Sequence, residues 1–154
     1  TYAAGLSLKE ENLDAFTQRF LKLAADEIIP EQMTPQIDID AVLDLQDINS
    51  KFMSELKKMN PFGPDNQKPV FCSLGVKDYG TSKLVGKDLE HIKLELIDDK
   101  SNTPIHGIAF GMRQHNTHIK NMKPFNICYT IEENTYNGNT SLQLMVKDIK
   151  ENDI

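Results

Sequence analysis

The sequence predicts a mainly β protein. The expected form is a Greek-key barrel of five or six strands, with one helix ahead of it and a short helix between its first two strands. Three observations carry this. After Pro35 the apolar residues recur with a period of two rather than 3.6. Turn-forming residues separate the apolar runs. No helices alternate with the strands, as a parallel sheet would require. About 110 residues of such pattern suit a small closed or partly open barrel, with a two-sheet sandwich as the alternative.

The leading helix is read from Ser7-Leu8-Lys9-Glu10, a capping box with Ser7 at the N-cap and Glu10 reaching back to its amide. Leu13, Phe16, Phe20 and Leu23 follow at helical spacing, and the pattern fades near Ile28 and stops at Pro30. The expected organisation is a helical segment over 1–29, a proline-bounded linker over 30–35, a barrel domain over 36–150 and a tail over 151–154.

Within the barrel, Ile37, Ile39, Ala41, Leu43 and Leu45 alternate with Asp38, Asp40 and Asp44, which reads as a half-buried strand. A short helix follows over 49–59, with Ile48, Phe52, Leu56 and Met59 on one face, and Pro61 forces it to end. Strands are predicted over 70–76, 83–85, 90–97, 104–112 and 124–132, with a last one around Leu142, Leu144 and Val146. Gly107 and Gly111 mark bulges or bends in the fourth of these. Asn137-Gly138 is the strongest hairpin signal in the chain.

Composition narrows the function classes. The chain has 154 residues, 39% apolar and 26% charged, enough for a core without staples. Cys72 and Cys128 are far apart in sequence and match no metal spacing, so they are read as two reduced, partly buried thiols of a cytoplasmic protein. No stretch is apolar enough for a membrane span, no signal peptide is visible, and the start at Thr1 suggests a fragment. The net charge of −6 opposes nucleic-acid binding, but its distribution does not. Residues 1–60 carry −5 and 131–154 carry −3, whereas 61–130 carry +2. Only the middle offers an anion-binding face.

Candidate chemistry is sparse. Asp38 and Asp40 share a strand face, yet the alternating isoleucines explain them as solvent-side acids. His115-Asn116-Thr117-His118 offers two imidazoles with no third ligand nearby and reads as a polar loop, and Asp98-Asp99 reads as a turn. No nucleophile elbow, phosphate loop or zinc-protease pattern occurs. What remains is basic and aromatic. Lys83, Lys87, Lys93 and Arg113 fall in the β region, with Lys77, Lys120 and Lys123 nearby, and Phe62, Tyr79 and Tyr136 sit in or beside loops. Barrels of the OB type bind single strands this way, tracking phosphates with cations and stacking bases on aromatics.

Longer motifs then point to a family. Pro61-Phe62-Gly63-Pro64-Asp65-Asn66-Gln67-Lys68-Pro69-Val70-Phe71 resembles the Pro-Phe-Gly-x-Gly-Asn-x-x-Pro-x-Phe motif that opens the OB domain of the RecJ single-strand-specific exonuclease family. Gly86 to Leu96, with His91-Ile92-Lys93-Leu94, is similar to that family's Gly…His-Leu-Lys-Leu strand. Ile108-Ala109-Phe110-Gly111-Met112 is similar to its next strand, and Tyr136-Asn137-Gly138 with Leu142-Gln143-Leu144 to its last hairpin. Tyr2-Ala3-Ala4-Gly5 resembles the end of the Gly-Gly-His-x-x-Ala-Ala-Gly motif of the DHH-associated domain, which would make 1–29 the closing helix of that domain. Asp65 stands where the family has glycine, and Gln67 where proline is common. A left-handed Asp65 would keep the turn but repel a phosphate.

The resemblance implies a parent enzyme that hydrolyses single-stranded DNA from the 5′ end in repair and recombination, with Mg or Mn held in N-terminal nuclease domains. It implies no cofactor and no catalytic residue in the present chain. The implied partners are single-stranded DNA, those nuclease domains and single-strand-binding protein, with no membrane. The expected DNA-binding residues, taken from the basic and aromatic groups of the β region, are Lys83, Lys87, His91, Lys93, Arg113, Phe62, Tyr79 and Tyr136. A protein-interaction or bracing role within the same enzyme is the competing expectation.

Overall fold

The computed structural model describes residues 4–136 and 138–152. The chain divides into two compact units, Thr1–Ile37 and Asp38–Ile154.

In the first unit, a 3-10 turn at Glu10–Asn12 leads into helix α1, Leu13–Glu27. The capping box does not form. Lys9 occupies the N-cap of the turn and Asn12 that of α1, and neither side chain caps. Helical geometry therefore begins beyond Ser7, and Glu10 lies inside the turn instead of closing back on it. The apolar stripe is helical as expected: Phe16 and Phe20 stack with ring centroids 5.8 Å apart. Ile28 is already extended, so the helix stops before Pro30.

The second unit is a closed barrel. Its strands are β1 Ala41–Val42, β2 Phe71–Asp78, β3 Lys83–Val85, β4 His91–Ile97, β5 Ile105–Ala109, β6 Phe125–Tyr136 and β7 Asn139–Glu151. Helix α2, Ser50–Lys57, lies between β1 and β2, and helix α3, Asn116–Lys120, between β5 and β6. Five strands form a ring in the order β2-β4-β5-β7-β6 and back to β2. All contacts in the ring are antiparallel except β5–β7, which is parallel because the chain crosses over through α3 and β6. β1 and β3 are additions, paired to β2 and β4. The observed seven strands thus contain the expected five-stranded Greek-key barrel, not a sandwich.

β2 serves three partners because it bends. Its first residues lie between β1 and β6, and its last, Lys77 and Asp78, pair with β4. The register shifts between Ser73 and Val76, where Gly75 has φ +66°, a conformation side-chain-bearing residues rarely adopt. The Asn126 side chain accepts from the Gly75 amide there, satisfying the donor that the shift releases.

The alternation of β4 resolves as read. Ile92, Leu94 and Leu96 are fully buried, and Lys93 is exposed between them. Phe125, Ile127, Tyr129, Ile131 and Leu144 complete the core, and cutting Leu94 to alanine would cost roughly 2–5 kcal/mol. Gly107 marks no bulge. It sits in regular register opposite Leu94 and Leu144, where an added Cβ would touch both side chains. β6 and β7 stay paired to their joined ends, where Tyr136 pairs with Asn139. Asn137 of the expected hairpin signal, like Tyr2 and Ala3, lies outside the described residues.

Further expectations change. The strand foreseen over 37–45 shrinks to Ala41–Val42, and Leu45–Asp47 is a 3-10 turn. Ile37 and Ile39 are exposed, and the alternation marks an inward face only from Ala41 through Leu43 to the buried Leu45. Asp40 is more than a solvent-side acid, since its carboxylate accepts from the Val70 amide at 2.8 Å and anchors the start of β2. The His115–His118 stretch is a 3-10 turn running into α3, not a loop, because Ile119 is fully buried and pins the helix into the core. α2 forms as foreseen, with the Asn49 carboxamide accepting from the Lys51 and Phe52 amides. Met59, however, lies beyond its end and is exposed.

Candidate nucleic-acid interface

The outward residues of β3 and β4 are set by the pleat. Leu84 pairs with Ile92 on the inner face, which turns Lys83 and Lys93 outward directly opposite each other. Like charges in that position repel by a few tenths of a kcal/mol to about 1 kcal/mol. Both lysines are exposed, and neither makes an ion pair among the described residues. The same is true of Lys87 and Arg113.

Most other barrel lysines near acids are neutralised. Lys77 meets Asp99 at 3.2 Å, Lys57 meets Glu133 at 2.7 Å, and Lys68 meets Glu132 at 2.8 Å. Lys120 lies 3.7 Å from the buried Asp78. Lys77 and Lys120 therefore leave the anion-binding set. Within the basic face, Glu95 is tied by the Thr81 hydroxyl and lies 3.6 Å from His106 Nδ1. Asp88 and Glu90 are exposed in the turn that carries Lys87.

The loop from β2 to β4 is built around His91. Leu89 N–H bonds to Gly86 O at 3.3 Å, and Gly86 has φ +95°. A Cβ on Gly86 would sit 3.1 Å from His91 Cδ2, so the imidazole occupies the space that glycine leaves. His91 Nδ1 accepts from the Gly111 amide at 3.0 Å, and its ring lies edge-on to Phe110 at 5.0 Å. His91 thus joins the β3–β4 turn to the end of β5, just before Arg113.

The remaining expected residues separate. Tyr79 is exposed where β2 leaves the barrel, and its amide bonds to Glu95 O at 2.8 Å. Phe62 is elsewhere, half-buried in a hollow with Met53, Leu56 and Ile131 beside the paired Lys57 and Lys68. The Tyr136 backbone ends β6, and its side chain lies outside the described residues. Phe110 is exposed beside His91 and went unnoticed among the site residues in the sequence, where it stands within an apolar strand run.

The Pro-Phe-Gly loop is not left-handed at Asp65. Gly63 and Asn66 bridge one another around Pro64-Asp65, and Asp65 is not among the positive-φ residues. Proline leads the turn, and aspartate fits its third position with ordinary φ. The Asn66 carboxamide donates to Met59 O and Pro61 O, holding this loop onto the end of α2. His115 and His118 both approach Glu151, at 2.7 and 3.2 Å, which fastens α3 to β7. Among the described residues no three of His, Cys, Asp or Glu converge in a set that could hold a metal ion.

A five-stranded barrel with parallel closure of its third and fifth strands defines the chain as an OB-fold module. The model of the RecJ OB domain family matches residues 39–148, and the chain belongs to that family. It is 27% identical to the single-stranded-DNA-specific exonuclease RecJ of Haemophilus influenzae over 96% of this chain and 25% of that protein. It is 26% identical to the RecJ of Bacillus subtilis over 95% of this chain and 18% of that protein. The chain thus spans about a quarter or less of the curated relatives it matches. The crystal structure of Thermus thermophilus RecJ in complex with Mg2+ superimposes with a TM-score of 0.71 at 16% identity, over 96% of this chain and 21% of that one. A second, in complex with Mn2+, gives 0.72 at 17%, over 97% and 20%. The donors described here do not fit the metal of those complexes.

Proposed function

We propose that this chain binds and guides single-stranded DNA as the OB module of a 5′–3′ single-strand-specific exonuclease acting in cytoplasmic DNA repair and recombination. The observation that carries the reading is the facing pair Lys83 on β3 and Lys93 on β4, two cations held in mutual repulsion without a counter-ion among the described residues. A phosphate chain passing over the β3–β4 face would relieve that repulsion. Lys87 and Arg113 extend the path, and Tyr79 offers a ring at its far end. Hydrolysis, with Mg or Mn, belongs in this reading to nuclease domains outside the chain, and residues 1–29 to the closing helix of a DHH-associated domain.

The test is titration of a labelled oligonucleotide at two salt concentrations. Affinity should fall with salt, with a log–log slope of about −0.7 per phosphate contacted. Absence of binding at low salt would overturn the reading.

A second reading is supported by a different surface. Phe52, Leu56, Met59, Pro69 and Phe71 line an apolar hollow bordered by Asp40 and Glu55. With the net charge of −6, this favours a bracing or partner-docking role, single-strand-binding protein included. Capture of such a partner by a chain that binds no oligonucleotide would select it.

A further inference from the structure

The edge of the basic face holds an aromatic that the established family membership does not assign. Phe110 follows the last residue of β5 and is 55% exposed, although it is a large apolar side chain directly after the fully buried Ala109. It is not loose. His91 lies edge-on against it, with ring centroids 5.0 Å apart and an interplanar angle of 75°. His91 is itself fixed by the Gly111 amide at 3.0 Å and packed against Gly86. One neighbour thus supports the Phe110 ring while more than half of the residue stays open to solvent.

The surroundings state what the open surface would take. Lys87 is one residue from Gly86, so it enters from the β3–β4 turn. Arg113 is two residues from Gly111, so it enters from the 3-10 turn after β5. Neither makes an ion pair among the described residues. A supported aromatic whose bracing contacts at Gly86 and Gly111 each stand within two residues of a cation unpaired among the described residues matches a nucleotide, whose base stacks while its flanking phosphates meet the cations. A partner protein's apolar side chain would use the ring but leave both cations unanswered. The acids of the turn, Asp88 and Glu90, oppose close phosphate approach there, which places the affinity in the base more than in the backbone.

We infer that Phe110, braced by His91, is a base-stacking platform for one unpaired nucleotide at the Lys87–Arg113 edge of the barrel. This rests on the single-strand-binding reading above and names its stacking residue.

The experiment uses the whole 154-residue chain with two labelled probes of equal phosphate count, dT12 and a 12-unit abasic strand. F110A should weaken dT12 binding about tenfold, since one lost stack reduces affinity by that order. It should leave abasic binding unchanged. F110Y should retain dT12 affinity. The chain contains no tryptophan, so F110W supplies a unique fluorophore. Its emission should be quenched by dT12 and not by the abasic strand. If F110A binds dT12 as the parent chain does, or if F110W is quenched equally by both probes, the stacking role is overturned while single-strand binding stands. If the parent chain binds neither probe at low salt, both readings fall together.

Discussion

His91 and Gly111 are joined by one hydrogen bond, 3.0 Å from the Gly111 amide to Nδ1 of the imidazole, across 20 residues of chain. Nδ1 must be the unprotonated nitrogen, because the backbone N–H can only donate. The bond fixes both the ring and the strand end that carries Phe110 and Arg113.

Removing that ring should cost structure before it costs binding. H91A is expected to destabilise the chain by about 1–2 kcal/mol, through a lost amide partner and an emptied packing site. G86A should also destabilise, by about 1–2 kcal/mol, for two separable reasons: its φ of +95° and the 3.1 Å approach to His91 Cδ2. The G86A/H91A double variant should lose less than the sum, since only the steric part depends on the imidazole. Urea unfolding of the four proteins measures this, and strict additivity would contradict the packing account.

A second relay links the core to β1. The Ser73 hydroxyl donates to Leu43 O at 2.7 Å, so the Tyr129 hydroxyl, 2.7 Å from Ser73 Oγ, must be the donor to it. Burial pushes the Tyr129 phenol up to about 12. Because the folded value lies above the ordinary one near 10, this group's stabilisation is complete below about pH 10 and is lost as pH rises towards 12. Y129F should cost about 1 kcal/mol at neutral pH and flatten the alkaline fall in stability. Thermal melts between pH 8 and 11.5 check both, and an unchanged alkaline slope would count against the relay.

Much of this was legible in the sequence, and the limits are physical. Alternation exposed β4 and β6 because each buries one face completely, as Ile92, Leu94 and Leu96 do. It misled over 37–39, where Ile37 and Ile39 alternate with acids yet remain exposed, and held at Ala41, Leu43 and Leu45, which pack on the core. The cations of the site could be named because Lys83 and Lys93 lie on strands whose inner residues were plain. That they oppose each other depends on register, which only the pairing of Leu84 with Ile92 settles. Phe110 was hidden because a periodic run makes every apolar residue in it look like core. The cysteines looked remote across 56 residues of sequence, yet β2 and β6 place them in direct opposition.

That opposition makes Cys72 and Cys128 register partners, both buried and both free thiols. Burial pushes the Cys72 thiol up. Burial chiefly, then the nearby Asp148 and Cys72, does the same to Cys128. Since the thiolate is the nucleophile, both should resist a thiol-specific reagent at pH 8 in the folded protein and react fully in denaturant. Rapid labelling of either in the native state would show that this part of the barrel opens.

Acid should loosen the contact between Asp98 and Leu45. Burial raises the Asp98 carboxyl, but hydrogen bonds from the Leu45, Lys100 and Ser101 amides and the Ser101 hydroxyl outweigh it and hold the group below its usual range. With the folded value depressed, this stabilisation is present above about pH 4, the unfolded value, and is lost as pH falls through the folded one. D98N should destabilise the chain by about 1–2 kcal/mol at pH 7 and remove part of the acid dependence. Equal loss of stability by both proteins between pH 5 and 2.5 would show that the charge is not what matters.

The last expectation separates the two kinds of lysine on the barrel. Lys83 and Lys93 repel each other without a counter-ion among the described residues, whereas Lys57 and Lys68 are held by Glu133 and Glu132 within 2.8 Å. A free cation can release a counterion from DNA when it meets a phosphate, but a paired one must first break its own bridge. K83E/K93E should therefore weaken oligonucleotide binding strongly and make the log–log salt slope shallower by about 1.4, the contribution of two phosphate contacts. It should not reduce folding stability, because two facing exposed glutamates repel each other about as much as the two facing lysines do. K57A/K68A should leave the slope unchanged and cost at most about 1 kcal/mol per bridge. Salt-dependent titrations of the three proteins decide the matter. An unchanged slope in K83E/K93E, or a changed one in K57A/K68A, would move the DNA path off the β3–β4 face and toward the hollow that holds Phe62.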